Sequence, residues 1–299
     1  MFAEFYVQYE YWFAAVQLVL AMLGMGATLT GKDFRDVVSE PRAVSLGTII
    51  QIVVVPLSAY LFLRLLGIQD GVAVGLALIA AIPGGTVSNI FTFLARGNSA
   101  LSISITALTT LACLVTTPLI LSALIGDYLP ADFTMPRLKI IREIAFTLLL
   151  PLALGMTYLY LYPRSAPAVS RWCIRGSLLV ILMIVIGSAV AGRLDVAQFG
   201  YSNIVLVVVF ALLLAVMAHL VSRMLRLVPR DAAAVEFEVV VRNVNLGVLL
   251  KASLFPAAAS HLAGLGDMVL FTLLLYGGLQ LLVGALLIGF YGRGGRDPG

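Results

Sequence analysis

One long hydrophobic run of this chain, residues 71–94, is interrupted near its middle by the sequence AIPGGTVSN at residues 81–89. The run is long enough to cross a lipid bilayer, which takes about 20 apolar residues. A proline inside a helix costs about 3 kcal/mol, and each glycine costs about 1 kcal/mol. Within a membrane, the backbone groups that such a break frees must be covered by protein or by a water-filled cavity. The stretch therefore predicts a broken membrane helix, which is a common way to build an ion or substrate site in transporters.

The composition is that of an integral membrane protein. The chain of 299 residues is 61% hydrophobic and 11% charged, with a mean hydropathy of +1.06, whereas soluble domains are about 25% charged. The basic residues behind the formal net charge of +4 are scattered over the loops, so the sequence predicts no nucleic-acid partner. It contains no P-loop, no HExxH motif and no Cys or Ser paired with His on adjacent faces, so we expect no enzymatic activity.

Nine hydrophobic segments are long enough to span a bilayer, and short connectors separate them. We therefore predict an all-α protein that forms one membrane domain over residues 1–299. The predicted segments are 8–30, 42–66, 71–96, 99–126, 138–162, 168–192, 202–227, 231–254 and 263–291.

Lysine and arginine are enriched in the loops on one side of these segments. Because basic loops stay in the cytoplasm, this bias places the N-terminus outside and the C-terminus inside the cell. The smaller, outer set of basic residues is Arg64, Arg137, Lys139, Arg142, Arg193 and Lys251.

A second hydrophobic segment is interrupted by the sequence VEFEVVVRNVNLG at residues 235–247. It holds Glu238 and Arg242, and ionisable residues inside a membrane segment are costly and point to function. Their i, i+4 spacing also suits an ion pair that merely joins two helices. The interrupted segments are the third and the eighth of the nine. Because they are five segments apart, an odd number, they cross the membrane in opposite directions. The sequence therefore predicts an inverted repeat, about 8–126 and 138–291, with its site between the repeats.

Oxygen-bearing side chains near both interruptions suit a hard cation such as Na⁺. Ser102 and Thr106 are four residues apart, so they share one helix face. With Ser88, Asn89 and Glu238 they offer neutral oxygens and one negative charge. Hydroxyl residues also pack membrane helices closely, which is the alternative for Ser102 taken alone.

Other polar residues in apolar segments are weaker candidates. Gln51 lies inside the second segment and needs a partner, while Asn243 and Asn245 are expected to line the second interruption. Glu236 projects from a different face than the other glutamate of its segment, and we expect it near the interface or a cavity mouth. We expect His219 to be a hydrogen-bonded core residue rather than a proton relay.

The first interruption and the segment after it resemble a known family. The run IPGGTVSN at residues 82–89, followed by LARGNSALS at residues 94–102, is similar to the bile acid:sodium symporter family, as is LGMG at residues 23–26. The resemblance extends over nearly the whole chain. It implies two inverted five-helix repeats, arranged as a core and a panel domain, with two broken helices that cross. Compared with the family, we expect this chain to lack the first of the ten helices, which would leave nine.

The same resemblance implies roles for individual residues. The family's first sodium site corresponds to Ser88, Asn89, Ser102, Thr106 and Glu238. Its second sodium site corresponds to Gln51, Glu238 and the backbone of Val239 and Val241.

This chain departs from the family at Arg242, where the bile acid carriers have a glutamine that supplies an oxygen to the second site. A guanidinium group can neither accept a hydrogen bond nor bind a cation. Two hypotheses follow. Arg242 occupies the second sodium site in place of the ion, leaving at most one Na⁺ per cycle, or it binds a substrate carboxylate bidentately.

Together these features predict a secondary active transporter that moves a small organic anion with Na⁺ by alternating access. It would be a multi-pass protein of the bacterial inner membrane, with Na⁺ as the coupling ion and the lipid bilayer around it. The alternatives are a proton-coupled or uncoupled organic-anion carrier, an exporter, or a membrane ligand sensor that does not transport.

Overall fold

The computed structural model describes residues 2–31, 33, 41–129, 133–257 and 262–294, and its principal elements are eleven helices. Two of them contain a π-helical turn, at Ile50–Val54 and at Ile144–Leu149. The helices are α1 Phe2–Gly26, α2 Pro41–Leu65, α3 Asp70–Ala81, α4 Thr86–Leu94, α5 Ser99–Leu124, α6 Arg137–Leu161, α7 Ala166–Val190, α8 Tyr201–Met224, α9 Pro229–Val240, α10 Val244–Leu254 and α11 Ala263–Gly294.

Six of these helices, α2, α5, α6, α7, α8 and α11, are long and apolar enough to cross a membrane. The prediction of an all-helical, multi-pass membrane protein is confirmed. The third and eighth predicted segments each form two shorter helices, α3 with α4 and α9 with α10. The count of nine spans stays a prediction, because by length and composition these shorter helices and α1 fall outside the set of six.

Both predicted interruptions are observed, and their backbones pair with each other. The amide of Gly85 donates to the carbonyl of Val241 at 2.9 Å, and the amide of Asn243 donates to the carbonyl of Pro83 at 2.9 Å. These bonds form a short antiparallel bridge across the two breaks. Backbone groups freed by one broken helix are thus satisfied by the other, which removes the main cost of a break in hydrocarbon.

Helices α1, α3 and α9 pack against most of the other helices. Helix α1 packs against α6, α7 and α10, while α3 packs against α11 and α5, and α9 packs against α8 and α4. The contact between α1 and α6 is close because Gly26 and Gly155 face each other. A Cβ atom on Gly26 would overlap the Leu152 carbonyl oxygen.

Three buried charges and the partly exposed Asp267 join α1 to α10 and α11 at one end of the molecule. Glu10 accepts hydrogen bonds from Lys251 at 2.6 Å and from Arg193 at 2.9 Å, and Arg193 also donates to Asp267 at 2.5 Å. The side chain of Lys251 is 0% exposed. Both basic residues belong to the predicted outer set, and each is neutralised by a carboxylate inside the protein. The side of the membrane that they face stays a prediction.

Candidate functional site

Five oxygen-bearing side chains converge where the two broken helices meet α5. The Oε1 atom of Glu238 accepts hydrogen bonds from Ser88 at 2.5 Å, Ser102 at 2.7 Å and Thr106 at 2.7 Å. The Oδ1 atom of Asn89 lies 2.8 Å from the Ser102 hydroxyl and 3.3 Å from the Thr106 hydroxyl. We call this set the oxygen cluster. The structure brings together all five residues predicted for the first sodium site, while their role as sodium ligands stays a prediction.

Local structure explains how the oxygen cluster forms. Thr86 begins α4 directly after the break, which puts Ser88 and Asn89 in the first turn of that helix. Ser102 and Thr106 lie one turn apart on α5 and are fully buried, as is Glu238 on α9. A buried carboxylate needs hydrogen bonds or a cation to offset its lost hydration, and the cluster supplies neutral hydroxyl and amide groups only. Within the described residues, no three His, Cys, Asp or Glu side chains gather as a transition-metal site would require.

The other oxygen of the same carboxylate, Oε2, faces Gln51. The Nε2 atom of Gln51 donates to Oε2 at 3.2 Å, and its Oε1 atom accepts from the amide of Gly84 at 3.0 Å. Gln51 lies in the π-helical turn of α2, a local widening that often marks functional positions. Gly84 has to be glycine, because a Cβ atom there would overlap Glu238 Oε2.

Arg242 lies beyond Gln51, in the second break, and is 2% exposed. A guanidinium group has five N–H donors, and each of them has an acceptor. Nε donates to Ile79 at 3.2 Å, and Nη1 donates to Gln51 at 3.1 Å and to the Glu238 carbonyl at 3.4 Å. Nη2 donates to the carbonyls of Ala80, at 3.3 Å, and Ile82. We call this arrangement the arginine site.

Three of the acceptors in the arginine site are carbonyls at or just beyond the C-terminal end of α3. Such carbonyls have no partners within the helix and carry a partial negative charge, so this end of a helix attracts cations. Arg242 places its positive charge there.

Glu238 and Arg242 do not form the direct ion pair that their spacing suits. The carboxamide of Gln51 lies between them, donating to the carboxylate and accepting from the guanidinium. The guanidinium itself touches only the backbone carbonyl of Glu238. The i, i+4 relation fails because the helix ends at Val240, before it reaches Arg242.

The two asparagines of the second break lie at the start of α10. Asn243 is buried and caps α10, its side chain accepting from the amide of Leu246 at 3.3 Å. Asn245 lies in the first turn of α10 and is half-buried. Among the described residues, neither side chain hydrogen-bonds to the oxygen cluster or to Arg242. Their predicted part in binding an ion or a substrate stays a prediction.

Two residues of α11 that the sequence analysis missed hold the second break in place. The Gln280 side chain accepts from the amide of Arg242 at 2.8 Å, and the hydroxyl of Tyr276 donates to the carbonyl of Val240 at 2.7 Å. Their residue types could have marked them in the sequence, because a glutamine or a tyrosine buried in a long apolar segment requires a hydrogen-bond partner.

Glu236, which we expected near the interface or a cavity mouth, is enclosed by protein. Glu236 is 0% exposed, and its Oε1 atom lies 3.1 Å from Nδ1 of His219. The carboxylate faces α8 instead, where His219 supplies a polar partner. The prediction that His219 makes a hydrogen bond within the protein is confirmed.

The crevice beside the arginine site is too small for an organic molecule. It is lined by Gln51, Pro83, Thr109, Cys113 and Arg242, among others, and has a volume of about 10 Å³. A carboxylate would also have to displace helix carbonyls to reach the guanidinium.

The comparison with known families agrees with this geometry. Residues 15–195 match the model of the Sodium Bile acid symporter family. The chain belongs to that family. It is therefore a member of a family of sodium-dependent transporters and not an enzyme.

Individual relatives of this family member are named as transporters. It is 28% identical to an uncharacterized sodium-dependent transporter, YocS, of Bacillus subtilis, over 81% of this chain and 74% of that protein. It is 27% identical to a sodium-dependent organic anion transporter of Rattus norvegicus, over 93% of this chain and 73% of the rat protein. It is 40% identical to the probable sodium/metabolite cotransporter BASS1 of Arabidopsis thaliana, over 47% of this chain and 34% of the plant protein.

Proposed function

We propose that this protein is a secondary active transporter that imports a small organic anion together with one Na⁺. The observation that carries the proposal is the oxygen cluster, in which four side chains from α4 and α5 gather around one carboxylate oxygen of Glu238 on α9. Hydroxyl, amide and carboxylate oxygens are the ligand types that hard cations prefer. The name of the rat relative supports an organic anion as the co-transported solute.

In this proposal Na⁺ binds within the oxygen cluster. The ion would be held by Glu238, the three hydroxyl groups and the amide oxygen of Asn89. Binding draws the first turn of α4 towards α5 and α9, because ligands on all three helices share one charge. Na⁺ therefore stabilises the arrangement in which the two breaks are paired.

The arginine site takes the place of a second Na⁺. Its guanidinium donates to the carbonyls of Ile79, Ala80 and Ile82, which face a fixed positive charge. Because all five donors are already used, a substrate carboxylate has no free N–H group to bind. The geometry therefore favours the ion-replacing role over the substrate-binding role.

Transport would proceed by alternating access between two domains. Helices α1, α6 and α7 would form the panel, and α2–α5 with α8–α11 the core that carries both breaks. This division follows the packing of α1 on α6 and α7. We also propose nine spans in an inverted repeat, about 8–126 and 138–291, in one domain of a bacterial inner membrane, with the N-terminus outside.

Uptake measured against Na⁺ concentration tests this proposal. In proteoliposomes with an imposed Na⁺ gradient, organic-anion uptake should require Na⁺ with a Hill coefficient near one. A coefficient clearly approaching two would reject the single-ion cycle. Binding of the anion without any flux would instead identify a ligand sensor.

The variant Arg242→Gln separates the two roles of the arginine. If the guanidinium replaces an ion, the variant should need more Na⁺, and its Hill coefficient should rise towards two. A variant that keeps its Na⁺ dependence but loses binding of anionic substrates would support the carboxylate role.

A further inference from the structure

Two arginines line a cleft at the end of the molecule where α4 ends and α9 begins. Arg96 follows α4 and Arg230 lies in the first turn of α9, and the cleft between them and α11 has a volume of about 590 Å³. The remaining residues that line it are Ala95, Gly97, Pro229, Ala233, Phe290 and Tyr291. The lining contains two cationic groups and no acidic residue.

The loops that carry these arginines are fixed to each other. Nε of Arg230 donates to the carbonyl of Arg96 at 3.3 Å, and the amide of Asn98 donates to the carbonyl of Arg230 at 2.9 Å. Arg96 adopts a left-handed backbone conformation, with φ of 57°. Its guanidinium group makes no hydrogen bond and no ion pair with the part of the chain that the structure describes. Among the residues that the structure describes, neither arginine forms an ion pair, and both line the same cleft.

The surface around the cleft is strongly apolar. Phe93, in the adjoining cleft, is 71% exposed and Phe290 is 59% exposed, which would be unfavourable in water. Large exposed apolar side chains on a membrane protein face lipid chains. Arg96 and Arg230 follow directly on this apolar surface, where the headgroups of a surrounding bilayer would lie.

We propose that this cleft binds an anionic phospholipid. The phosphodiester group would accept hydrogen bonds from Arg96 and Arg230, since guanidinium groups bind phosphate oxygens in a bidentate manner. The acyl chains would lie along Phe290. Basic clefts between membrane helices are suited to anionic headgroups for this reason.

Two clefts share these arginines, and the acidic residues nearby favour the smaller one as the phosphate site. Asp231 lines the other cleft, of about 930 Å³, where its carboxylate would repel a phosphate group. That carboxylate accepts a hydrogen bond from the side chain of Asn98 at 2.9 Å. Glu236, close to Tyr291, is 0% exposed and is paired with His219.

A lipid bound here would join α4 to α9. These two short helices carry Ser88 and Glu238 of the oxygen cluster, so a lipid phosphate that bridges their outer ends would restrain the crossing. Anionic lipid should therefore raise the thermal stability of the protein, which gives the proposal a readout that does not depend on transport.

The test uses the purified protein in detergent and two lipids with short acyl chains. Thermal unfolding would be followed while phosphatidylglycerol or phosphatidylcholine is added. We expect saturable stabilisation by phosphatidylglycerol, with an apparent dissociation constant about tenfold weaker in Arg96→Gln and in Arg230→Gln, as expected for the loss of one charged hydrogen-bond donor group. Arg223→Gln, which removes a positive charge from the end of α8 outside the cleft, should behave as the original protein.

Three results would overturn the proposal. Equal stabilisation by phosphatidylcholine would show that binding does not depend on the net charge of the headgroup. Equal weakening by Arg223→Gln would show general attraction to a basic surface, and equal stabilisation by glycerol 3-phosphate would identify a site for a free phosphate ester instead of a lipid. Arg96→Gln is the informative variant if Arg230→Gln unfolds, because the Arg96 side chain forms no hydrogen bond or ion pair with the described residues.

Discussion

The two oxygen atoms of the Glu238 carboxylate face different surroundings. Oε1 lies among the hydroxyls of Ser88, Ser102 and Thr106. Oε2 faces the carboxamide of Gln51, behind which lies the guanidinium of Arg242. One side presents neutral oxygens to which a mobile cation can bind, and the other contains a cation that is part of the chain.

In the proposed function, one side of Glu238 binds a mobile Na⁺ and the other holds a guanidinium fixed to the chain. The ion would stabilise the carboxylate, while the guanidinium donates to the carbonyls at the crossing. Only the mobile ion can leave, so only it can link transport to a gradient. The variants below separate these two sides of Glu238, beginning with the change that removes the shared charge.

Glu238→Gln should have the largest effect, because it removes the charge that both sides share. The side chain keeps its shape but loses the negative charge, so Na⁺ affinity should fall by more than about 100-fold, or about 2.7 kcal/mol. Thermal unfolding with increasing Na⁺ measures this loss. Glu143→Gln is the control, since Glu143 bonds to Tyr11 and Ser253 outside the crossing. If Glu238→Gln binds Na⁺ normally, the oxygen cluster is not the sodium site.

Gly84→Ala should disrupt the Oε2 side first. The added Cβ atom would overlap Oε2 of Glu238, and overpacking of this kind costs about 1–3 kcal/mol. Both the melting temperature without Na⁺ and the Na⁺ affinity should fall. Gly278→Ala on α11 is the matched control, since a Cβ atom there meets nothing within 4 Å. Equal melting temperatures for the two variants would contradict the close approach described for Gly84.

Arg242→Lys should change stability more than ion coupling. Lysine keeps the positive charge but has three donors in place of five, so carbonyls at the end of α3 lose partners. The free energy of unfolding should fall by about 2 kcal/mol, while the Hill coefficient for Na⁺ stays near one. Denaturant titration and Na⁺-dependent uptake measure the two quantities. A Hill coefficient that rises as in Arg242→Gln would mean that charge alone does not exclude the second ion.

Thr106→Val should affect only the Oε1 side and by the smallest amount. It removes one hydroxyl from the oxygen cluster at nearly constant volume, so Na⁺ affinity should fall about tenfold, or about 1.4 kcal/mol. Thr109→Val is the control on the same helix, because the Thr109 hydroxyl bonds to the carbonyl of Ile105 at 2.8 Å. Similar losses of Na⁺ affinity in both variants would point to packing of α5 rather than to ion binding.

The location of the crossing could be predicted because it depends on local chemistry. Proline and glycine at residues 83–85 cannot continue a membrane helix, and the spacing of Ser102 and Thr106 fixes a shared face. The structure brings these residues together as that spacing predicts.

The partners of Arg242 could not be predicted in the same way. They are mostly main-chain carbonyls, which every residue has, so no sequence pattern marks them. Lys251 illustrates a second limit. Its partner Glu10 is distant in the chain, and without the tertiary fold a lysine near the end of a segment is indistinguishable from a loop charge.

The guanidinium in the second break also determines how the transporter would use the membrane voltage. In the proposed cycle, one Na⁺ and one monovalent anion cross together, so the complete turnover moves no net charge. A cycle with two Na⁺ would move one positive charge, which gains about 2.3 kcal/mol for every 100 mV of membrane potential. The guanidinium is fixed to the chain and returns with the empty carrier, so it adds nothing to the net charge moved in one turnover. Accumulation of a monovalent anion would then follow the Na⁺ concentration ratio alone and would continue unchanged when the membrane is depolarised.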